Sequence, residues 1–172
     1  MKVMSGFNLL ELLISLAILG ILTLLLIPSY RSLLQRNRTT VVVNQLISAI
    51  NFSRSQSILQ DDFIFFCGSQ DHLNCDGQWS EGQIIKTKNQ DVILRTFSKF
   101  TKGDQLFWKS SLGKNDYLEF SPTGFTDGQD GSFYFCPKFP NEAYGAIIVV
   151  SLSGRARIDH DQNKLMQVCG AG

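Results

Sequence analysis

The chain has 172 residues, of which 44% are apolar and 18% are charged, and this size predicts one apolar anchor with one modest globular domain rather than two domains. Its formal net charge is +1, so the overall charge gives no argument for nucleic acid or for acidic partners. Any such affinity must come from a local patch of charge.

An apolar run near the start of the chain follows a short charged leader. No ionisable side chain occurs from Leu12 to Ile27, and the run counted back to Phe7 is long enough to cross a bilayer as a helix. The sequence therefore predicts a leader over residues 1–6 and a transmembrane helix over residues 7–29.

Glu11 is the one acid inside this apolar run. A carboxylate in the hydrocarbon core costs roughly 2.5–3.5 kcal/mol on insertion scales, which indicates a functional role. The alternative is an ordinary signal anchor in which Glu11 is hydrated at the interface. A secretory signal peptide is cut after its apolar stretch at an A-x-A-like site, and no such site follows Ile27.

Residues 6–11, with the sequence GFNLLE, resemble the processing site of type IV pilins and type II secretion pseudopilins. The resemblance implies that a prepilin peptidase cuts after Gly6 and methylates the new amine on Phe7. It also implies a role in filament assembly for Glu11 and for Pro28, which falls where those proteins usually carry a helix-kinking proline.

The cleavage explains why an acid would be kept in the apolar run. The new amine on Phe7 is cationic, and methylation does not remove its charge. A buried carboxylate is stabilised most readily by a buried cation. We therefore expect the amine of one subunit to pair with Glu11 of the next, so other pilins are the expected partners. Asn8 departs from the threonine or serine that is more usual at its position.

The helical pattern continues beyond Pro28, which predicts an amphipathic continuation of the helix over residues 30–60. The β-branched run Val41–Val43 lowers helix propensity without ending the helix, since no Gly or Pro follows before Asp61. The apolar positions of this segment, most of them expected on one face, are Leu33, Leu34, Val41, Leu46, Ile47, Ile50, Phe52 and Ile58.

Charge counting leaves the membrane orientation open, because Lys2 precedes the apolar run while three arginines follow it, namely Arg31, Arg36 and Arg38. The resemblance and the cysteines favour a single-pass inner-membrane protein with its globular domain in the periplasm. After assembly the domain is expected on a surface pilus. The three arginines are then expected to anchor the helix at the interface.

Short strand patterns separated by turns begin at residue 61 and predict a β-rich globular domain over residues 61–172. Turns at residues 88–90 and 153–154 indicate hairpins. The acidic loop at 127–131 lacks the layout of a calcium loop and predicts a solvated turn. The expected strands are Asp62–Cys67, Gln83–Thr87, Asp91–Phe97, Gln105–Lys109, Tyr117–Phe120, Ser132–Cys136, Tyr144–Leu152, Arg155–Asp159 and Leu165–Cys169.

The four cysteines all lie in this domain, and an even number in a translocated protein favours disulfides, with three possible pairings. The spacing favours a local bridge from Cys67 to Cys75 and a long-range bridge from Cys136 to Cys169, which would tie the last strand to an earlier one. His72 is alone in its loop, so the sequence predicts neither a metal site nor a cofactor.

Three segments of the domain are similar to the GspH/FimT group of minor pilins: residues 79–82 (WSEG), 120–124 (FSPTG) and 154–157 (GRAR). The resemblance spans nearly the whole chain. It implies an α+β, type IV pilin-like fold, in which a long N-terminal helix with a transmembrane first half packs on antiparallel β-sheets.

The last of these segments gives the sharpest functional hypothesis. Gly154 suits the positive φ of a tight turn, and period-two alternation then places Arg155 and Arg157 on one face, roughly 7 Å apart. Two guanidinium groups at that spacing suit successive anionic groups of a polyanion. Among FimT-type competence pilins a GRxR motif is implicated in DNA uptake, so the resemblance implies DNA binding here. Lys164 is a further expected phosphate contact, with the polar loop residues Gln162 and Asn163.

The alternative is two solvated arginines, partly neutralised by Asp159 and Asp161. The sequence thus leaves two functions open. One is a minor pilin that binds DNA for natural transformation; the other is a structural or priming minor pseudopilin of a pilus or a type II secretion system without DNA binding. Removal of Lys2 with the leader would balance the basic and acidic side chains, which favours the second. No nucleophile, base and orienting group occur together, so no catalytic role is predicted.

Overall fold

The computed structural model describes residues 8–114, 116–138 and 145–170, without the side chains of residues 24–29 and 31–32. The predicted processing residues Gly6 and Phe7 therefore lie outside the described part, as does the side chain of Pro28. Within the described part, none of the helices is both long enough and apolar enough to cross a membrane.

The first element is a single long helix, α1, which spans Leu9–Gln60. Asn8 caps its start, because the Asn8 side-chain oxygen accepts a hydrogen bond from the backbone nitrogen of Leu10 at 3.4 Å. Glu11 lies in the first turn, where a negative charge is favourable beside the free N–H groups. Asparagine can therefore start the helix as threonine or serine would.

The chain divides into two compact units, residues 1–38 and 39–172. In the first unit, the part of α1 from Leu9 to Leu22 is mostly apolar and exposed. The exposed apolar side chains of α1 in this unit are Leu9, Leu10, Leu12, Leu13, Ile14, Leu16, Ile18, Leu19, Ile21 and Leu22, followed by Tyr30, Leu33 and Leu34.

The second unit contains two four-stranded antiparallel sheets and a short helix. The first sheet has the strand order β3-β2-β1-β5, and the second has the order β4-β6-β7-β8. The elements in chain order are β1 (Ile64–Gly68), β2 (Gly82–Thr87), β3 (Ile93–Ser98), β4 (Gln105–Ser110), β5 (Tyr117–Phe120), β6 (Gly131–Cys136), β7 (Ala146–Val150), β8 (Ala156–Asp159) and α2 (Gln162–Cys169). The predicted α+β, type IV pilin-like fold class is confirmed, and each of these strands overlaps a predicted one.

The C-terminal part of α1 and both sheets share one apolar core. Aromatic rings fill its centre: Phe133 lies 5.0 Å from Trp79 and 4.5 Å from Trp108 between ring centroids. The buried side chains of α1 are Val42, Val43, Leu46, Ala49, Ile50, Ser53 and Ser57. Three of these are small, so the helix can approach the sheets closely.

The predicted apolar face of α1 was wrong at four of its eight positions. Leu33, Leu34, Val41 and Ile58 are each about half exposed or more. Buried serine hydroxyls occupy the stripe instead, and they are satisfied within the helix: Ser53 donates to the Ala49 carbonyl at 2.9 Å. A pattern built from apolar residues alone misses such positions.

The predicted strand Leu165–Cys169 was also wrong, because this segment belongs to α2. Asp161 caps the helix by accepting hydrogen bonds from the backbone nitrogens of Asn163 at 3.1 Å and Lys164 at 3.2 Å. Gln162 and Asn163, expected in a loop, lie in its first turn. Leu165 is its buried side chain.

Both predicted disulfides are present, pairing Cys67 with Cys75 and Cys136 with Cys169. The second bridge joins β6 to a helix rather than to a strand. Residues 127–130 precede β6 and contain a turn at 127–128, but Gln129 is buried and Gly131 is the first residue of β6. Groups of three or more potential metal ligands are absent from the part of the chain that the structure describes.

Candidate nucleic-acid interface

The turn between β7 and β8 positions the two candidate arginines. It is closed by two backbone hydrogen bonds, from Gly154 N to the Ser151 carbonyl at 2.8 Å and from Ser151 N to the Arg155 carbonyl at 3.0 Å. Gly154 has φ +73°, the left-handed conformation that the sequence predicts for it. The chain therefore reverses directly before Arg155.

Gly154 is also needed for a close backbone approach. A Cβ at this position would lie 2.6 Å from the carbonyl oxygen of Gly124 and 3.1 Å from Cδ of Arg54. A hydrogen bond also joins the loop that contains Gly124 to the β7–β8 turn, because Thr126 N donates to the Leu152 carbonyl at 2.9 Å. Two of the segments that carry the family resemblance thus meet in space.

Arg54 connects α1 to this junction. Its Nε donates a hydrogen bond to the Gly124 carbonyl at 3.1 Å, across 70 positions of sequence. The sequence pattern gives Arg54 no role. No local signal could have identified it, because its partner is a backbone carbonyl on a distant loop.

Arg155 and Arg157 are both exposed. Ala156 pairs with Val150 and packs against the core, while Arg157 pairs with Val149. Since side chains alternate between the two faces of a strand, Arg157 points to the outer face of the second sheet. Arg155 is two positions earlier, so the alternation places it on the same face.

Neither guanidinium group has a carboxylate within 4 Å among the described residues. The two nearby acids face Lys164 instead, whose Nζ lies 3.7 Å from Asp159 and 3.4 Å from Asp161. Lys164, the residue predicted to contact phosphate, thus forms ion pairs within the domain, and its side chain is 57% exposed. Neither arginine is therefore neutralised by an ion pair among the described residues.

Asp161 is stabilised in its ionised form by the helix it caps. The hydrogen bond from the Lys164 backbone N–H is the largest cause, and it lowers the pKa of the Asp161 carboxyl below the ordinary value of 3.8. The Lys164 side chain lowers it further. This cap fixes the start of α2 directly after β8.

Basic groups near the first sheet are arranged differently. Lys88 Nζ lies 2.9 Å from the Glu119 carboxylate, whose side chain is only 6% exposed. The hydrogen bond to Glu119 raises the pKa of the Lys88 ammonium group. This lysine neutralises a buried acid, so it is not available to a ligand.

Comparison with known proteins identifies the family to which the central part of the chain is similar. Residues 42–154 match the family model described as "Type II transport protein GspH". Two curated proteins of Pseudomonas aeruginosa, both named "Fimbrial protein", are similar: one is 29% identical over 99 residues, and the other is 33% identical over 112 residues. The matches cover 58% and 59% of this chain, and 64% and 71% of the relatives.

Two crystal structures of the type IV minor pilin FimU of Pseudomonas aeruginosa share the fold. The first, in space group P21, has a TM-score of 0.57 at 20% identity and covers 72% of this chain and 90% of FimU. The second, in space group P65, has a TM-score of 0.54 at 19% identity and covers 70% and 91%.

Proposed function

The chain belongs to the GspH family of type IV minor pilins and pseudopilins, and from that premise we propose that it binds extracellular DNA through Arg155 and Arg157 for uptake in natural transformation. The observation that carries the proposal is the absence, among the described residues, of any carboxylate within 4 Å of two exposed guanidinium groups on one face. Because residues 154–157 resemble the GRxR motif implicated in DNA uptake among FimT-type competence pilins, we propose that the chain is a pilin of that type.

Each part of the hairpin has a role in this binding. Arg155 and Arg157 stand roughly 7 Å apart, which suits neighbouring phosphates of one strand. Gly154 sets the direction of the strand that carries them, and Lys164 forms ion pairs with Asp159 and Asp161. The contacts are to the phosphate backbone of DNA, so binding is independent of base sequence, and the affinity falls steeply as the salt concentration rises.

The exposed apolar part of α1 supports a membrane and filament role for the first unit. An exposed helix whose side chains are mostly apolar is suited to cover by lipid or by neighbouring helices. We propose that prepilin peptidase cuts after Gly6, that the inner membrane holds the segment as a single pass before assembly, and that the second unit then lies in the periplasm. In the pilus, Glu11 pairs with the amine of Phe7 of a neighbouring subunit.

The test is a gel shift with the full-length protein in nonionic detergent. The double variant Arg155→Gln/Arg157→Gln is expected to lose about tenfold or more in affinity for duplex DNA at low salt, with a shallower salt dependence. The matched control is Lys99→Gln/Lys102→Gln, which removes the same charge from two exposed lysines elsewhere and is expected to bind as the wild type does. Equal losses in both variants would contradict the proposed site.

The second candidate function is a structural or priming minor pseudopilin without DNA binding. The near-zero net charge of the chain favours it, because a low net charge gives no long-range attraction to DNA. It predicts no retardation of DNA by any variant. It also predicts fewer pili in cells that lack the protein, and normal pilus numbers in cells with the arginine double variant.

A further inference from the structure

Lys109 lies on the same face of the second sheet as Arg157. The strand register places Lys109 opposite Ser132, Ser132 opposite Val149, and Val149 opposite Arg157. Residues directly opposite one another carry their side chains on the same face of a sheet. The preceding residue, Trp108, is buried in the core, so Lys109 points outward.

The spacing across this row suits a groove of duplex DNA. Lys109 is on one edge strand and Arg157 on the other, so three strand spacings separate their Cα atoms by roughly 14 Å. The two side chains between them, Ser132 and Val149, are small and half-buried. This width is close to that of a DNA major groove, about 12 Å, whose two sides belong to different strands.

The charge of Lys109 is available to a ligand. Its Nζ lies 5.7 Å from the centroid of the Tyr134 ring, and the described residues place no carboxylate within 4 Å of it. Asp130, which directly precedes β6, accepts a hydrogen bond from the Ser111 hydroxyl and forms no ion pair with Lys109.

We propose that Lys109 contacts the second strand of a DNA duplex whose first strand is held by Arg155 and Arg157. The proposal rests on the proposed function and adds to it the ligand class: the site takes double-stranded DNA in preference to single strands. A single strand can follow the two arginines, but it does not present a second backbone across the sheet. Lys109 therefore adds affinity for duplex alone.

The test compares Lys109→Gln with wild type for binding of a duplex and of a single strand of the same sequence. For duplex we expect the Kd to rise about fivefold and the slope of log affinity against log salt to fall by about one, the change for one phosphate contact. For the single strand we expect less than about a twofold change. The conservative variant Lys109→Arg should keep duplex affinity.

The chain offers a matched control in Lys114, which is exposed and lies 6.0 Å from the ring centroid of Tyr117, as Lys109 lies over Tyr134. Lys114→Gln should leave both affinities unchanged. The inference is overturned if Lys109→Gln leaves duplex binding unchanged or weakens both ligands equally. If Arg155→Gln/Arg157→Gln weakens duplex binding while Lys109→Gln does not, this inference alone fails; if neither variant has an effect, the proposed function fails with it.

Discussion

The basic residues within the strands of the first sheet, and Lys88 directly after β2, each have a partner in the fold. Lys86 lies 2.6 Å from Asp91, and Lys88 lies 2.9 Å from Glu119. Arg95 stacks over the Phe52 ring at 4.3 Å. On the outer face of the second sheet, the exposed basic residues have no carboxylate within 4 Å among the described residues, and they are Lys109, Arg155 and Arg157.

This difference separates basic residues that serve the fold from those that can serve a ligand. A cation that neutralises a buried acid contributes to stability and gives up its attraction for an anion in solution. A cation that faces water without a partner adds little to stability. The surface of the second sheet therefore carries charge for which folding gives no reason, and the following predictions test that comparison.

Each sheet carries one disulfide, and their removal should give the largest effects on stability. Replacing Cys136 and Cys169 by serine opens a loop with a separation of 33 residues, whereas Cys67 and Cys75 are 8 apart. The chain entropy of the opened loop predicts that the free energy of unfolding falls by about 3–4 kcal/mol without the Cys136–Cys169 bridge and by about 2–3 kcal/mol without the Cys67–Cys75 bridge. Urea unfolding followed by tryptophan fluorescence measures both, and the reverse order would show that loop entropy is not the main term.

Loss of the close contact between the turn at Gly154 and the loop that contains Gly124 should have the next largest effect on the free energy of unfolding. Gly154→Ala adds a Cβ that meets the Gly124 carbonyl in a strained backbone conformation, and we expect a loss of about 2–3 kcal/mol. Gly113→Ala is the control, since its φ of +75° is almost the same and no atom lies within 4 Å of the added Cβ. The control should lose only about 1 kcal/mol, the cost of the left-handed conformation. Equal losses would remove the close approach as the reason for this glycine.

The buried ion pair of the first sheet should have a smaller effect. Glu119→Gln removes the partner of Lys88 and is expected to cost about 1–2 kcal/mol in the free energy of unfolding. Asp91→Asn, at an acid whose side chain is 76% exposed, should change it by less than about 0.5 kcal/mol. Neither change should alter DNA affinity. A loss of DNA binding in either variant would break the distinction between the two sheets.

The sequence was sufficient for features that depend on neighbours along the chain. Strand alternation gave β5 at its observed bounds, and the turn at Gly154 follows from glycine between two strand patterns. The strand predicted at Leu165–Cys169 was wrong because this segment has little intrinsic preference for either strand or helix. A helix as short as α2 is marginal alone, and the Asp161 cap, the burial of Leu165 and the bridge to Cys136 decide its structure.

The candidate site was only partly accessible to sequence reasoning for a related reason. Arg155 and Arg157 are close in the chain, so their common face could be predicted. Lys109 joins them only through the order β4-β6-β7-β8, which depends on which strands pair. The ion pairs of Lys164 likewise depend on α2 being a helix, since a strand would direct that side chain differently.

The smallest expected effect is on acid stability, and it compares one aspartate beside each sheet. In the loop after β1, the backbone N–H groups of Asn74 and Leu73 hold the pKa of the Asp71 carboxyl far below its ordinary 3.8. Asp161 has a lowered pKa from the Lys164 N–H, supported by fewer hydrogen bonds. A lowered folded-state pKa gives stability that is present above the unfolded value and is lost as the pH falls toward the folded one.

Wild-type stability should therefore decrease as the pH falls below about 4, and Asp71→Asn should flatten this decrease more than Asp161→Asn does. The asparagine side chain can still accept the backbone hydrogen bonds through its oxygen, but it does not titrate. Thermal unfolding midpoints at about pH 6, 4, 3 and 2 measure the slope for each variant. If the decrease is the same in both variants as in the wild type, neither loop carboxylate is responsible for it, because each variant has lost one of the two titrating groups.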